Sequence, residues 1–190
     1  MLPVENLGYA STQKIPCWLL LQRKIRSAGL LIIGARVSSL GVKSGIMDYR
    51  RVGRDLFVRL DNGEEIHESI RSLSEQGITA AAITSGIGRI RDTVIGYLDT
   101  NGVYQKVSLE DPMELVSMQG NLAPGPEGPF THIHLVVSDD EHVVHGGHLF
   151  EATSEVTAEI HMRILGEGDS PMEREYTDSE FIRISFCHMG

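Results

Sequence analysis

Three histidines are the residues of this sequence whose types and spacing best fit a chemical role. His132 and His134 lie in Thr-His-Ile-His-Leu-Val-Val, and His148 lies in His-Gly-Gly-His-Leu. Two strand residues separated by one point to the same face, with Cα atoms roughly 6.6 Å apart. A third histidine on a neighbouring strand completes a set of three nitrogens, the usual protein ligand count of a zinc site with one open position. The sequence therefore predicts that His132, His134 and His148 bind a metal ion.

The elements that must position these histidines are two strands joined by a polar turn. The segment Ser-Asp-Asp-Glu-His at 138–142 separates two apolar runs, which is typical of a hairpin. If residues 139–141 form a three-residue loop, antiparallel register places His134 opposite Gly146 and His132 opposite His148. All three imidazoles then share one face of the sheet.

The prediction depends on the register of this hairpin. A loop one residue shorter or longer turns His148 to the other face, unless Gly146-Gly147 forms a bulge that restores it. In the expected register His145 points to the opposite face, and His142 lies too close to the turn to join.

The alternative is that the clustered histidines are structural. Buried histidines commonly just hydrogen-bond a carbonyl or a carboxylate, and we expect this of His67 and His161, an ordinary helix histidine and an ordinary strand histidine. The two glycines before His148 favour a metal, because glycine lets the backbone approach a ligand closely.

Four motifs of the chain resemble those of a known family. They are Ser-Gly-Ile-Gly at 85–88, Glu-Leu-Val-Ser-Met-Gln-Gly at 114–120, His-Ile-His-Leu at 132–135 and Gly-Gly-His-Leu at 146–149. In this order, over about residues 53–186, they resemble the PPC domain, a module conserved in plants and prokaryotes.

The resemblance implies an antiparallel sheet with flanking helices, assembled as a homotrimer. It also implies a metal, Zn²⁺ or another divalent transition metal, on His132, His134 and His148. Plant members add AT-hook segments and bind AT-rich DNA. The fold further resembles one domain of acetolactate decarboxylase, whose zinc sits on a His-x-His pair and a later histidine.

The charge distribution argues against DNA as the partner. Residues 1–46 carry six Lys/Arg and one acidic residue, whereas residues 47–190 carry 11 Lys/Arg against 25 Asp/Glu, a net charge of −14. Affinity for DNA comes chiefly from Lys and Arg that neutralise phosphates, so an acidic domain binds it poorly. No Arg-Gly-Arg-Pro core of an AT-hook occurs in the sequence. We therefore disfavour nucleic-acid binding by this chain alone.

The first 46 residues do not fit the pattern of the domain that follows. Their two apolar runs are separated by Gln22-Arg-Lys-Ile-Arg26, so neither has the roughly 20 residues needed to span a membrane. A basic, nearly acid-free segment also suits an organelle transit peptide, although Pro3 and Pro16 interrupt an amphipathic helix. We favour Met47 as the true start, with an artefactual extension before it, and expect one PPC-like domain over 47–190. The two cysteines form no disulfide framework, which favours a cytoplasmic location.

Runs of short strands and one clear helix predict an α+β fold, mainly an antiparallel sheet with one or two packed helices. The helix is expected to begin at a cap on Asp61 or Asn62, to bury Ile66, Ile70 and Leu73, and to end at Gly77. Residues 85–88 are expected to form a turn and 166–177 an acidic loop. Residues 120–129 are expected to form a loop, and we favour a plain surface connection over a lid that covers the histidine face. Strands are expected at 56–60, 78–84, 93–98, 103–109, 113–119, 131–138, 142–149, 155–165 and 181–186, the last closing the sheet.

Two classes of function fit these features. The first is a trimeric binding or regulatory module whose metal is structural or takes a small anionic ligand. The second is a metal-dependent enzyme acting on a small oxo or hydroxy acid, with Glu151 or Glu114 as acid or base and Arg89 or Arg91 receiving a carboxylate. We favour the binding module over the enzyme, with no membrane partner.

Overall fold

Nine β-strands make up most of the computed structural model, which describes residues 47–186. Along them, buried apolar residues alternate with exposed ones, as in Leu56, Val58 and Leu60, so that one face of each strand enters the core. The strands are β1 (Asp48–Val52), β2 (Asp55–Asp61), β3 (Ile78–Leu98), β4 (Tyr104–Leu109), β5 (Met113–Gly125), β6 (Gly128–Ser138), β7 (Val144–Glu167), β8 (Met172–Tyr176) and β9 (Ile182–Phe186).

The first seven strands form one antiparallel sheet in the order β1-β2-β7-β6-β5-β3-β4. An additional pairing of β7 with β3 closes the sheet on itself through β3, β5, β6 and β7. The strands approach very closely at Gly88, where φ is +148° and an added Cβ would lie 2.8 Å from Ala158 Cα. A side chain at this position would force β3 and β7 apart.

The one α-helix among the described residues, α1, spans Ile66–Ser72 and continues as a short 3-10 helix, Leu73–Gln76. Ile66, Ile70 and Leu73 are fully buried, as their helical spacing predicts. The expected cap was wrong: Glu65, not Asp61 or Asn62, accepts a hydrogen bond from the Glu68 amide. Asp61 instead ends β2. Gly77 ends the helical segment with φ of +83°, as predicted.

Two segments expected to be turns or loops are strands. Residues 85–88 lie inside β3, where register shifts between Ile83 and Ser85 and between Gly88 and Ile90 mark bulges instead of a turn. Residues 120–129 are also mostly strand, because β5 continues to Gly125 and β6 begins at Gly128. The prediction of a loop over 120–129 was therefore wrong, and with it the alternative that such a loop covers the histidine face.

The C-terminal segment forms a ribbon of its own. Met172–Tyr176, inside the expected acidic loop, pairs with Ile182–Phe186 in a separate two-stranded sheet, so the last strand does not close the main sheet. Met172 and Ile184 pack against Ala80 and Ala123 of the main sheet. We call residues 172–186 the C-terminal ribbon.

The fold is thus mainly antiparallel sheet with a single short helix in the part of the chain that is described. The apolar core contains residues of α1 and of each of the strands β3, β5, β6 and β7, which close the sheet on itself. Within residues 47–186, no helix is long and apolar enough to cross a membrane. The expectations for residues 1–46 lie outside the described residues.

Candidate metal centre

The hairpin of β6 and β7 brings the three histidines together in a register different from the predicted one. His134 pairs with His148, and Ser138 pairs with Val144, so five residues, 139–143, connect the strands instead of three. The predicted pairs, His132 with His148 and His134 with Gly146, were therefore wrong by two residues. Because strand side chains alternate with a period of two, this shift leaves all three imidazoles on one face.

The geometry of the three side chains fits a single metal ion. One ligand nitrogen from each of His132, His134 and His148 lies within 4.8 Å of the other two. Nε2 of His132 is 3.2 Å from Nε2 of His134, close to the roughly 3.3 Å that separates two nitrogens on a tetrahedral zinc with Zn–N bonds of about 2.0–2.1 Å. His132 and His134 are therefore already at the spacing of two zinc ligands, and His148 is close enough to serve as the third.

The electrostatics of the site also favour neutral imidazoles. Burial, followed by the charge of Arg174, lowers the pKa of His132 to about 4. Burial, followed by the neighbouring histidines, lowers the pKa of His148 to about 4 as well. Both rings are therefore unprotonated at neutral pH, which is the form that binds metal.

Two buried polar atoms at this cluster lack a hydrogen-bond partner. They are Nδ1 of His148 and Nε of Arg174, among only a few such side-chain atoms in the described residues. Arg174, from the C-terminal ribbon, is 5% exposed; it donates to Asn121 Oδ1 at 2.7 Å, and its Nη2 lies 3.2 Å from Nδ1 of His132. Unsatisfied buried polar groups are uncommon in folded proteins, and a bound water or ligand is a common partner for such atoms.

A pocket of about 310 Å³ opens beside His132 and His148. His67 forms part of its wall, where its two ring nitrogens contact Thr131 Oγ1 at 2.7 Å and the Leu149 carbonyl oxygen at 3.2 Å. This agrees with the structural role expected of His67. The full lining is His67, Arg71, Tyr104, Lys106, Phe130, Thr131, His132, His148, Leu149, Phe150, Glu180, Phe181 and Ile182.

The residues proposed from the sequence as acid, base or carboxylate-binding group do not line this pocket. Glu114 pairs with Ser138, four residues and thus about 13 Å along β6 from His134. Arg89 is bonded to Glu114 and to Glu155, so its guanidinium is already neutralised. That expected role for Arg89 and Glu114 is therefore not supported.

Glu151, the other candidate acid or base, and Arg91, the other candidate carboxylate-binding residue, are also outside the pocket lining. Arg91 contacts the adjacent Asp92, and Glu151, opposite Val94, is exposed. His145 and His142 stay outside the cluster, as expected: His145 bonds Asp139, and His142 lies in the turn with φ of +63°.

Sequence reasoning missed the charged groups near the histidines, which are Arg71, Lys106, Arg174 and Glu180. The hairpin signal at 99–102 places Lys106 near the end of the strand opposite Gly96, but the pairing of Gly96 with His148, which brings the lysine to the histidine, is visible only in the structure. Arg174 and Glu180 lacked any local signal, because the ribbon that carries them was expected to be largely loop.

The zinc-free protein is expected to lose stability as the pH falls from about 6.5 to about 4. An unfolded histidine titrates near 6.5, whereas His132 and His148 titrate near 4 in the fold, so unfolding takes up protons in this range. The free energy of unfolding then rises with pH up to about 6.5 and levels off. Urea unfolding at several pH values measures this slope.

Other groups also titrate in acid, and a double variant isolates the histidines. His132→Gln/His148→Gln removes both low-pKa imidazoles and is expected to have a shallower slope between pH 4 and 6.5, by at most about 1.4 kcal/mol per pH unit for each histidine. Equal slopes for the two proteins would contradict the assignment.

Comparison with known proteins agrees with the motifs. The family model of the Plants and Prokaryotes Conserved (PCC) domain matches residues 47–165. A plant- and prokaryote-conserved (PPC) protein of Pyrococcus horikoshii is 32% identical, with 71% of this chain and 91% of that chain covered and a TM-score of 0.60. A metal-containing protein of Archaeoglobus fulgidus is 36% identical, with 70% and 92% covered and a TM-score of 0.58.

A candidate DNA-binding protein of Bacteroides thetaiotaomicron shares the fold at 22% identity, with 74% of this chain and 98% of that chain covered and a TM-score of 0.66. No curated protein matches the sequence. The C-terminal ribbon lies beyond the matched residues 47–165. On the family match and the two archaeal relatives, the chain belongs to the plants and prokaryotes conserved domain family.

Proposed function

We propose that this protein is a metal-binding module that holds Zn²⁺, or another divalent transition metal, on His132, His134 and His148 and receives a small anionic ligand at the open position. The observation that carries the proposal is the convergence of three ligand nitrogens within 4.8 Å of one another. Imidazole nitrogen suits zinc, copper, iron and nickel better than calcium or magnesium. The archaeal relative described as metal-containing is consistent with this proposal.

The charges around the histidines favour an anionic ligand. Three neutral imidazoles leave the full charge of a divalent ion uncompensated, and Arg174 adds a buried positive charge that has no carboxylate partner among the described residues. Lys106 lines the pocket beside His132 and His148. Glu180 is the single carboxylate of this pocket in the described chain. Buried charges are stable when paired, so an anion at the metal completes the site.

We favour a binding role over catalysis because the pocket offers little acid or base chemistry. Glu180 accepts a hydrogen bond from the Tyr104 amide at 2.9 Å, and both nitrogens of His67 are already bonded within the wall. A bound metal supplies a Lewis acid that holds an anionic oxygen. Arg174 and Lys106 place positive charge beside that position, which strengthens binding of the same oxygen.

The second candidate, an enzyme acting on a small oxo or hydroxy acid, rests on the position of Glu180. It is the one pocket residue in the described chain that carries a carboxylate able to move a proton. Turnover of pyruvate by the zinc-loaded protein, lost in His132→Ala, would establish this function. Absence of turnover together with tight anion binding supports the module.

A homotrimer is part of the proposal. Ile87, Val116 and Val136 are 55%, 51% and 36% exposed on the neighbouring strands β3, β5 and β6. Contiguous exposed apolar residues on a sheet commonly mark a surface that another protein covers. Further copies of this chain are the natural occupants in a symmetric assembly. DNA stays disfavoured, because the net charge of residues 47–190 is −14.

Native mass spectrometry of the zinc-loaded protein tests the module directly. We expect an assembly of three chains that carries one zinc ion per chain and that keeps its size after the zinc is removed by a chelator. An assembly that falls apart on zinc removal would assign the metal a structural role. A monomer that carries no zinc would contradict both the metal and the trimer.

A further inference from the structure

The row of paired residues that crosses the site puts a lysine beside the metal position. Lys106, Gly96, His148 and His134 are consecutive partners on β4, β3, β7 and β6. Gly96 has no side chain, which lets the Phe150 ring pack against its backbone. An added Cβ at Gly96 would lie 2.5 Å from the Gln105 carbonyl oxygen and 3.0 Å from the Phe150 ring. The position of Phe150, which lines the pocket, therefore requires glycine here.

The walls of the pocket are aromatic. The ring of Phe150 lies 4.7 Å from that of His148 and 5.1 Å from that of Tyr104, measured between centroids. The Lys106 ammonium stands 3.9 Å from the Phe150 centroid, which fixes the charge beside His148. Phe130 closes one side, and Phe181 of the C-terminal ribbon closes another. The ligand thus meets aromatic carbon along the walls and the positive charge of Lys106 beside His148.

The wall carries a second cation in addition to Lys106. Arg71 of α1 is exposed, lines the pocket and forms no ion pair with a carboxylate of the described residues. The His67 nitrogens contact Thr131 and the Leu149 carbonyl, so both are already bonded. Lys106 and Arg71 outweigh Glu180, the single carboxylate of the described lining, which favours a negatively charged ligand.

We infer that the pocket binds a carboxylate with an aromatic body, an inference that rests on the proposed metal site. The carboxylate takes the open position of the metal next to Lys106, and the ring packs among Phe130, Phe150 and Phe181. The volume of about 310 Å³ is at the lower end of the roughly 300–1,000 Å³ of small-molecule sites, which suits a single ring with a short chain.

Three matched probes test the charge and the ring separately. Calorimetric titration of the zinc-loaded protein is expected to show that 3-phenylpropanoate binds at least about tenfold more tightly than propanoate, because the ring leaves water for aromatic walls. The neutral 3-phenylpropanamide is expected to bind at least about tenfold more weakly than 3-phenylpropanoate, because it lacks the charge. Equal affinities for 3-phenylpropanoate and propanoate would contradict the inference that the ligand has an aromatic body.

Two variants locate the binding. Phe181→Ala is expected to lower affinity for 3-phenylpropanoate about tenfold while leaving propanoate unchanged, and Phe181→Leu is expected to keep most of it. Lys106→Met is expected to weaken both carboxylates and to leave the amide unchanged. Arg183→Met, a charge loss on the same ribbon but outside the pocket lining, is the matched control and is expected to bind like the unmodified protein.

Zinc content measured on the same samples separates the two proposals. Protein with about one zinc per chain that does not discriminate between the three probes refutes the ligand class and leaves the metal site standing. Protein that takes up no zinc refutes the metal site itself. Retained propanoate binding in Phe181→Ala shows that the variant is folded, and unchanged 3-phenylpropanoate binding in that variant would overturn the placement of the ring.

Discussion

Replacing His148 with alanine is expected to lower the affinity for zinc at least about 100-fold, because the ion loses one of its three protein ligands. His148 lies opposite His134 on the neighbouring strand, and no other histidine or carboxylate of the described residues joins the cluster. The remaining pair, His132 and His134, then holds the ion alone. Competition against a chromophoric zinc chelator measures the change.

His145→Ala is the matched control for this experiment. His145 is three residues away on the same strand, bonds Asp139 at 3.1 Å and takes no part in the cluster. Its removal is expected to leave zinc affinity unchanged. Equal losses in the two variants, or none in His148→Ala, would contradict the assignment of His148 as a ligand. Thermal unfolding of both zinc-free proteins shows whether either change acts through the fold.

Gly120→Ala is expected to destabilise the fold by about 3 kcal/mol, a large effect for a single methyl group. Gly120 pairs with Ile83 on one side and Ile133 on the other, in the centre of the closed sheet. An added Cβ would collide with the His132 carbonyl oxygen and lie 2.9 Å from Ile133 Cα. Backbone atoms in a hydrogen-bonded strand cannot withdraw cheaply, so β5 and β6 must separate.

Gly53→Ala separates this steric effect from the conformational freedom of glycine. Gly53 has φ of +62° but open space around it, so alanine there is expected to cost only about 1 kcal/mol. Chemical denaturation of both variants gives the two values. A loss in Gly120→Ala no larger than that in Gly53→Ala would show that the strands adjust to the added methyl group.

The face on which the three histidines lie was predictable, because it depends only on whether the connection between the strands has an odd or an even number of residues and not on its exact length. The connection proved two residues longer than expected, yet His148 stayed on the face of His132 and His134. The buried face of α1 was likewise readable from the spacing of Ile66, Ile70 and Leu73. The family was predictable as well, because the four short motifs occur in the sequence in the order expected for the family, and the family model matches the segment that contains them.

The long strands could not be predicted from local sequence. Ser-Gly-Ile-Gly at 85–88 and the proline- and glycine-rich segment 120–129 carry turn signals, but pairing with β7, β5 and β6 keeps both largely extended. Tertiary hydrogen bonds override local propensity in such strands. The same limit hid the C-terminal ribbon, whose β8 falls in a stretch that is mostly polar.

The charged partners of the site were missed for a related reason. Sequence reasoning favours carboxylates that are near the histidines in the chain, such as Glu151. Arg174 and Glu180 instead reach the site from the C-terminal ribbon, more than 20 residues after His148. Only the three-dimensional pairing shows which distant side chains share a pocket.

Metal analysis of the protein, purified without a histidine tag and incubated with zinc before excess metal is removed, tests the central claim most directly. The account predicts about one zinc per chain, bound through His132, His134 and His148. Less than about 0.1 zinc per chain under these conditions would contradict it.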